Sequence, residues 1–339
     1  MKRVFPTLIQ HFPGSRSEMK EAVSEALRIG YRHFDCAFVY KNEAEVGEAL
    51  KEAMESGQVL REDLFITTKL PPHYNDPALV REALDSSLKW LKLDYVDLYL
   101  IHVPFSIDRE YLKAIGEEKM YQKPEEPDKF YTSMDHSKIW QVSPSVRTVT
   151  DELIEAFFLL YHFQGMEKLV DEGLVRSIGL SNFNQQQIQH VIDNCSIKPA
   201  NLQVECHAYL PERELLNFCN QHKIVLTAFA PLGSPAFAKA TCAGEPVLLE
   251  DPVVKKVGDK HKKSPAQVLL RWLIQRNICV LPKSVNKVRL KENFDVLDFA
   301  LDEADVEEMN TLGTKNLRYF LYEPSEDSPD YPFPRSKAA

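Results

Sequence analysis

The most constraining feature of this chain is a rhythm in which short apolar runs of strand length alternate with stretches of helical period. The strand-like runs fall at 31–36, 63–69, 96–102, 176–181, 200–205, 224–230 and 278–282. Between them, helical patterns fall near 17–29, 43–56, 77–91, 150–173, 184–193, 211–222 and 264–276. Strands joined by helical crossovers build parallel sheets. An eighth strand has to come from the N-terminus, where Val4–Ile9 is the one candidate and Pro6 weakens it. Eight βα units predict an α/β chain that closes into a (β/α)8 TIM barrel, one domain over residues 1–339, with its active site at the C-terminal ends of the strands.

Four ionisable or phenolic residues obey that geometric rule. Asp35, Lys69 and His102 each close a strand-like run, and Tyr40 follows in the next loop. Taken singly, a histidine after a strand reads as a core residue and an aspartate before a helix as a cap. Taken together, they read as a site. A phenol beside an ammonium, with a carboxylate behind the ammonium and an imidazole opposite, makes a proton donor suited to neutral pH.

Composition narrows the classes of ligand. With 41 Lys and Arg against 50 Asp and Glu, the formal charge is −9, and no long basic run is present. That excludes nucleic acid and membrane surfaces as expected partners and leaves a small molecule held by a local site. The six cysteines are scattered singly, with no paired or zinc-type spacing, so a metal site is not expected. The opening residues are too short and too broken by proline and polar groups for a signal peptide or anchor. A monomer in a reducing cytosol is the expectation.

Longer strings carry a specific resemblance. They are Gly30-Tyr31-Arg32-His33-Phe34-Asp35-Cys36-Ala37, Tyr40-Lys41-Asn42-Glu43-Ala44-Glu45-Val46-Gly47, Leu98-Tyr99-Leu100-Ile101-His102, Ile178-Gly179-Leu180-Ser181-Asn182-Phe183, Pro231-Leu232-Gly233-Ser234-Pro235 and Leu281-Pro282-Lys283-Ser284-Val285. In these the chain resembles the aldo-keto reductases, in particular their aldose and aldehyde reductase branch, densely over about 21–104 and 165–333. The resemblance implies hydride transfer between NADP(H) and an aldehyde or ketone. Tyr40 would be the general acid, Lys69 and Asp35 its tuning pair, and His102 the group that orients the carbonyl oxygen.

The resemblance also implies a cofactor site. Ser181, Asn182 and Gln203 match the positions that hold the nicotinamide carboxamide. Phe229 stands where the family usually has a stacking Tyr, keeping the flat face and losing the hydroxyl. Leu232 and Ser234 begin the loop over the pyrophosphate. Lys283, Ser284, Val285, Arg289, Glu292 and Asn293 match the adenosine end, where Lys283 and Arg289 would select NADP over NAD through a 2′-phosphate.

The chain departs from the family pattern in four places. Thr7-Leu8-Ile9-Gln10-His11-Phe12 replaces a glycine-rich first strand that approaches the nicotinamide. Pro71 and Val103 replace two tryptophans of the substrate wall, which predicts a wider, less aromatic pocket. The segment 105–150 is a long loop that reads as a charged, proline-rich surface excursion, with an abnormal insert running to about 164. Within it, Phe157-Phe158-Leu159-Leu160-Tyr161-His162-Phe163-Gln164 reads either as pyrimidine-rich intron sequence from a gene model or splice variant, or as a helix extension packing aromatics on the barrel. The Phe12-Pro13-Gly14 junction reads, in the same way, as intron-derived sequence. A tail over 316–339 is expected to wall the pocket. These departures leave a second functional expectation open, an NADP-binding protein with little turnover.

Overall fold

The structure is a computed structural model that describes residues 16–132, 165–235, 246–328 and 330–334. Seven parallel strands form one sheet in chain order: β1 (His33–Asp35), β2 (Phe65–Leu70), β3 (Leu98–Ile101), β4 (Ile178–Ser181), β5 (Asn201–Glu205), β6 (Val225–Phe229) and β7 (Cys279–Val280). Each lies within the run expected for it, or within one residue of it. Val4–Ile9, the expected eighth strand, lies outside the described residues, as does the run 133–164.

Helices cover the outer face for reasons visible in the sequence. Pro77–Leu91 starts on an Asp76 cap with proline in its first turn, and Pro265–Gln275 starts on Ser264 in a reciprocal capping box with Gln267. Along Glu43–Glu55 the buried Val46, Gly47, Leu50 and Ala53 form one stripe. A Cβ on Gly47 would lie 2.2 Å from the Trp90 carbonyl oxygen, so only glycine lets these two helices approach so closely.

The first and last barrel elements meet. Helix Arg16–Ile29, which precedes β1, packs against helix Lys287–Phe294, which comes after β7. The Tyr31 hydroxyl donates to the Leu290 carbonyl at 2.9 Å, and its ring lies 4.9 Å from that of Phe294. The sheet is therefore rolled far enough for its helical layer to close.

Helices Pro252–His261, Lys287–Phe294 and Glu303–Thr311 were not among the expected repeats. They are short and richly charged, which blurs their apolar stripe. Their caps, Asp251, Asn286 and Asp302, were the better signal.

The described part of the long segment after β3 is more than a surface excursion. It forms helices Arg109–Ile115 and Pro127–Phe130 with a 3₁₀ turn between them, and buries Phe105, Ile107, Leu112, Met120, Phe130 and Tyr131 in a cluster of their own with Val103. Apolar residues spaced singly among charges hid that core from a reading of local composition. Arg109 pins the unit to the barrel through Glu82 at 2.5 Å and the Tyr74 hydroxyl at 2.9 Å.

Candidate active site

Strand ends bring the four expected residues together. Asp35 is the last residue of β1, Lys69 is the penultimate residue of β2 and His102 directly follows β3. Tyr40 ends the 3₁₀ turn Phe38–Tyr40, and Lys41 then turns the chain with φ of 54°. The Lys69 ammonium donates to Asp35 Oδ2 at 2.5 Å, to the Cys36 carbonyl at 2.9 Å and to the Tyr40 hydroxyl at 3.4 Å. Across the phenol, the His102 ring stands edge-on at 5.7 Å and 86°. One cation thus links the carboxylate to the phenol.

Burial governs the protonation states. It pushes the Tyr40 phenol well up, with the Asp35 charge and Cys36 adding to the effect, so the hydroxyl keeps its proton until a strong base forms beside it. It pushes His102 well below the ordinary imidazole range, helped by the Lys69 charge, so the ring is neutral. Asp35 is also raised by burial, with Lys69 and Gln203 pulling the other way. Glu43, a buried carboxyl behind the site, is raised by burial and accepts from Thr68 Oγ1 at 2.5 Å and Ser87 Oγ at 2.8 Å. Sequence reasoning gave Glu43 no role, because nothing in its neighbours shows that helix Glu43–Glu55 turns it inward.

The residues expected around a nicotinamide lie beside this cluster. Ser181 ends β4 and Asn182 directly follows it, both buried, and Asn182 has φ of 64°. The Asn182 amide donates to the His102 carbonyl at 2.9 Å and to Ser181 Oγ at 3.1 Å, which leaves Asn182 Oδ1 buried with no partner. A carboxamide NH₂ is the kind of donor that oxygen lacks. Gln203 on β5 is placed there too, but its own amide donates to Asp35 Oδ1 at 2.7 Å, a contact that strand spacing alone did not show. Phe229 ends β6, where the tail residue Phe320 meets it edge-on at 5.5 Å.

Leu232 and Ser234 sit in a loop where Ala230, Gly233 and Ser234 all have positive φ. At the far end, Ser284 and Asn286 form a local turn, and Asn286 Oδ1 caps the amides of Val288 and Arg289. Burial and the Arg289 charge both lower the Lys283 ammonium, which lies on the approach to the helix that carries Arg289. Val285 and Glu292 are half-buried and Asn293 is buried on the same helix or its approach. The unpartnered Asn182 oxygen and the Phe229 ring fit a nicotinamide cofactor.

Pro71 and Val103, which stand where the family has tryptophans, are both buried. Beside Val103, the rings of Phe105, Tyr131 and Tyr322 gather, with Phe105 6.1 Å from Tyr131 and 6.4 Å from Tyr322. The long segment and the tail thus both contribute rings to one aromatic cluster next to Val103. Among the described residues, no group of three or more His, Cys, Asp or Glu is placed to hold a metal, and no helix is long and apolar enough to cross a membrane.

Comparison with known proteins agrees with this geometry. The family model for the aldo/keto reductase family matches residues 9–313. The chain is 42% identical over 305 residues to aldo-keto reductase family 1 member A1 of Gallus gallus, covering 90% of this chain and 84% of the relative. It is 39% identical over 320 residues to prostaglandin F synthase 1 of Bos taurus, covering 94% and 90%. The solved structure of an aldose reductase from Schistosoma japonicum superposes with a TM-score of 0.79 at 40% identity, over 97% of this chain and 93% of that one. The rolled parallel sheet is accordingly that of a (β/α)8 barrel, and the chain belongs to the aldo/keto reductase family.

Proposed function

We propose that this oxidoreductase reduces an aldehyde or ketone to an alcohol with NADPH, Tyr40 acting as the general acid. The observation that carries the reading is the single Lys69 ammonium bonded to both Asp35 and the Tyr40 hydroxyl. When bound, the cofactor supplies the hydride that converts the carbonyl carbon, and the chain's residues do the rest.

The neutral His102 ring offers a hydrogen bond to the carbonyl oxygen and fixes it near the phenol. As negative charge grows on that oxygen, it becomes a stronger base than the Tyr40 phenolate, and the proton passes from Tyr40 to it. The phenolate left behind is stabilised by the Lys69 ammonium, whose own position is held by Asp35 and the Cys36 carbonyl. Gln203 keeps the carboxylate turned toward Lys69. Lys283 and Arg289 support NADPH over NADH, since cations of this kind stabilise a dianionic phosphate.

The rings of Phe105, Tyr131 and Tyr322 favour substrates with an apolar body behind the carbonyl. A reducing cytosol and a monomeric state remain the expectation for a chain of this composition. Purified protein should oxidise NADPH in the presence of a panel of aromatic and aliphatic aldehydes. Tight NADPH binding without turnover of any panel member would instead support the reading of a cofactor-binding protein.

A further inference from the structure

We propose that Glu205 is a positioning residue that fixes the C-terminal segment 317–328 as a wall of the substrate pocket. The proposal rests on the carbonyl-reduction reading for its kinetic consequence, though not for its geometry.

Glu205 is fully buried at the end of β5. A buried carboxylate has to be compensated by donors, since the energy lost on leaving water is large. Here most of that compensation comes from the tail backbone. Oε1 accepts from the Tyr319 amide at 2.8 Å and Oε2 from the Phe320 amide at 2.9 Å. His207 Nε2 lies 3.0 Å from Oε1, and Arg318 Nη1 is 4.0 Å from Oε2. Each carboxylate oxygen therefore holds one of two consecutive peptide groups, which fixes both the height and the rotation of the tail where it leaves the barrel.

Beyond that grip the tail builds the aromatic wall. Phe320 meets Phe229, Tyr322 faces Phe105, and the Tyr131 hydroxyl reaches across to the Pro324 carbonyl at 2.6 Å. Residues two apart on a strand share a face, so Gln203 and Glu205 project the same way from β5. One of them holds the catalytic carboxylate and the other holds the wall. The strand thereby sets the distance between the reacting centre and the surface that receives the body of the substrate.

Glu205→Gln presents one acceptor oxygen and turns an NH₂ toward the second peptide N–H, two donors facing each other. Glu205→Asp keeps both oxygens on a shorter stem. For Glu205→Gln we expect KM for an aldehyde to rise about tenfold, with kcat within about threefold and NADPH affinity within about twofold of the unsubstituted protein. Hydrogen exchange at the Tyr319 and Phe320 amides should quicken about tenfold or more, and Glu205→Asp should recover most of both changes. Unchanged KM with unchanged exchange would overturn the proposal. So would a joint loss of kcat, KM and NADPH affinity in both variants, which marks a general structural role. If the unsubstituted protein reduces no aldehyde, the reading of the reaction falls. The exchange measurement then still decides whether Glu205 holds the tail.

Discussion

The Gln203 carboxamide and the Asp35 carboxylate share a hydrogen bond of 2.7 Å between residues 168 positions apart. Lys69 takes the other oxygen of the same carboxylate at 2.5 Å, so Asp35 is held from β2 on one side and β5 on the other. The ion pair is fully buried, with side-chain exposures of 0% and 1%. Lys69→Met should therefore cost about 3–5 kcal/mol of stability, because it strands a buried charge. Adding Asp35→Asn should return most of that stability while reduction stays lost. Urea unfolding and NADPH oxidation on the two variants check both halves.

Tyr40→Phe removes the proton and leaves the ring against His102. Reduction should fall by about 10²–10⁴-fold, the usual worth of a positioned general acid, with NADPH binding little changed. Fluorescence titration alongside steady-state rates tests the pair of outcomes, and reduction at the original rate would remove Tyr40 from its role.

Arg289→Ala should weaken NADPH by about tenfold or more and leave NADH nearly unaffected, since on the proposed reading its guanidinium meets the 2′-phosphate. Equal weakening of both cofactors would show that the residue serves the fold of its helix instead.

Stability should decline below neutral pH sooner than carboxylates alone would cause. Burial holds His73 down at about 4, with Lys41, Arg109 and Lys113 also lowering it and Glu117 opposing them. His33 is held at about 3 by burial and by Lys69. Both folded values lie below the ordinary 6.5, so the unfolded chain takes up these protons first. Their stabilisation is complete above about pH 6.5 and is lost as pH falls, at about 1.4 kcal/mol per pH unit for each ring, down to about pH 4 for His73 and lower for His33. Urea midpoints from pH 7 to 5 should fall accordingly, and His73→Leu should flatten the slope.

Strand ends were legible in the sequence because a buried parallel strand is written as one short apolar run, and the residue after it is placed by the barrel itself. That is why Asp35, Lys69 and His102 could be assembled before any coordinates. Gln203 and Glu205 show the limit. Both were visible as polar residues in an apolar strand, yet the partner of each, Asp35 in one case and the tail amides in the other, lies more than a hundred positions away. The small core of Phe105, Leu112, Met120 and Phe130 was hidden for the opposite reason: its residues are close in sequence, but their period is broken by short helices and turns. The first-strand candidate Val4–Ile9 and the aromatic run before Gly165 lie outside the described residues.

The bond from Tyr31 to the Leu290 carbonyl joins the element that delivers Asp35 to the helix that carries Arg289. It works as a clasp on a ring. If the barrel breathes anywhere along this line, Asp35 and the proposed adenosine site separate together, so cofactor affinity and proton delivery would rise and fall as one property.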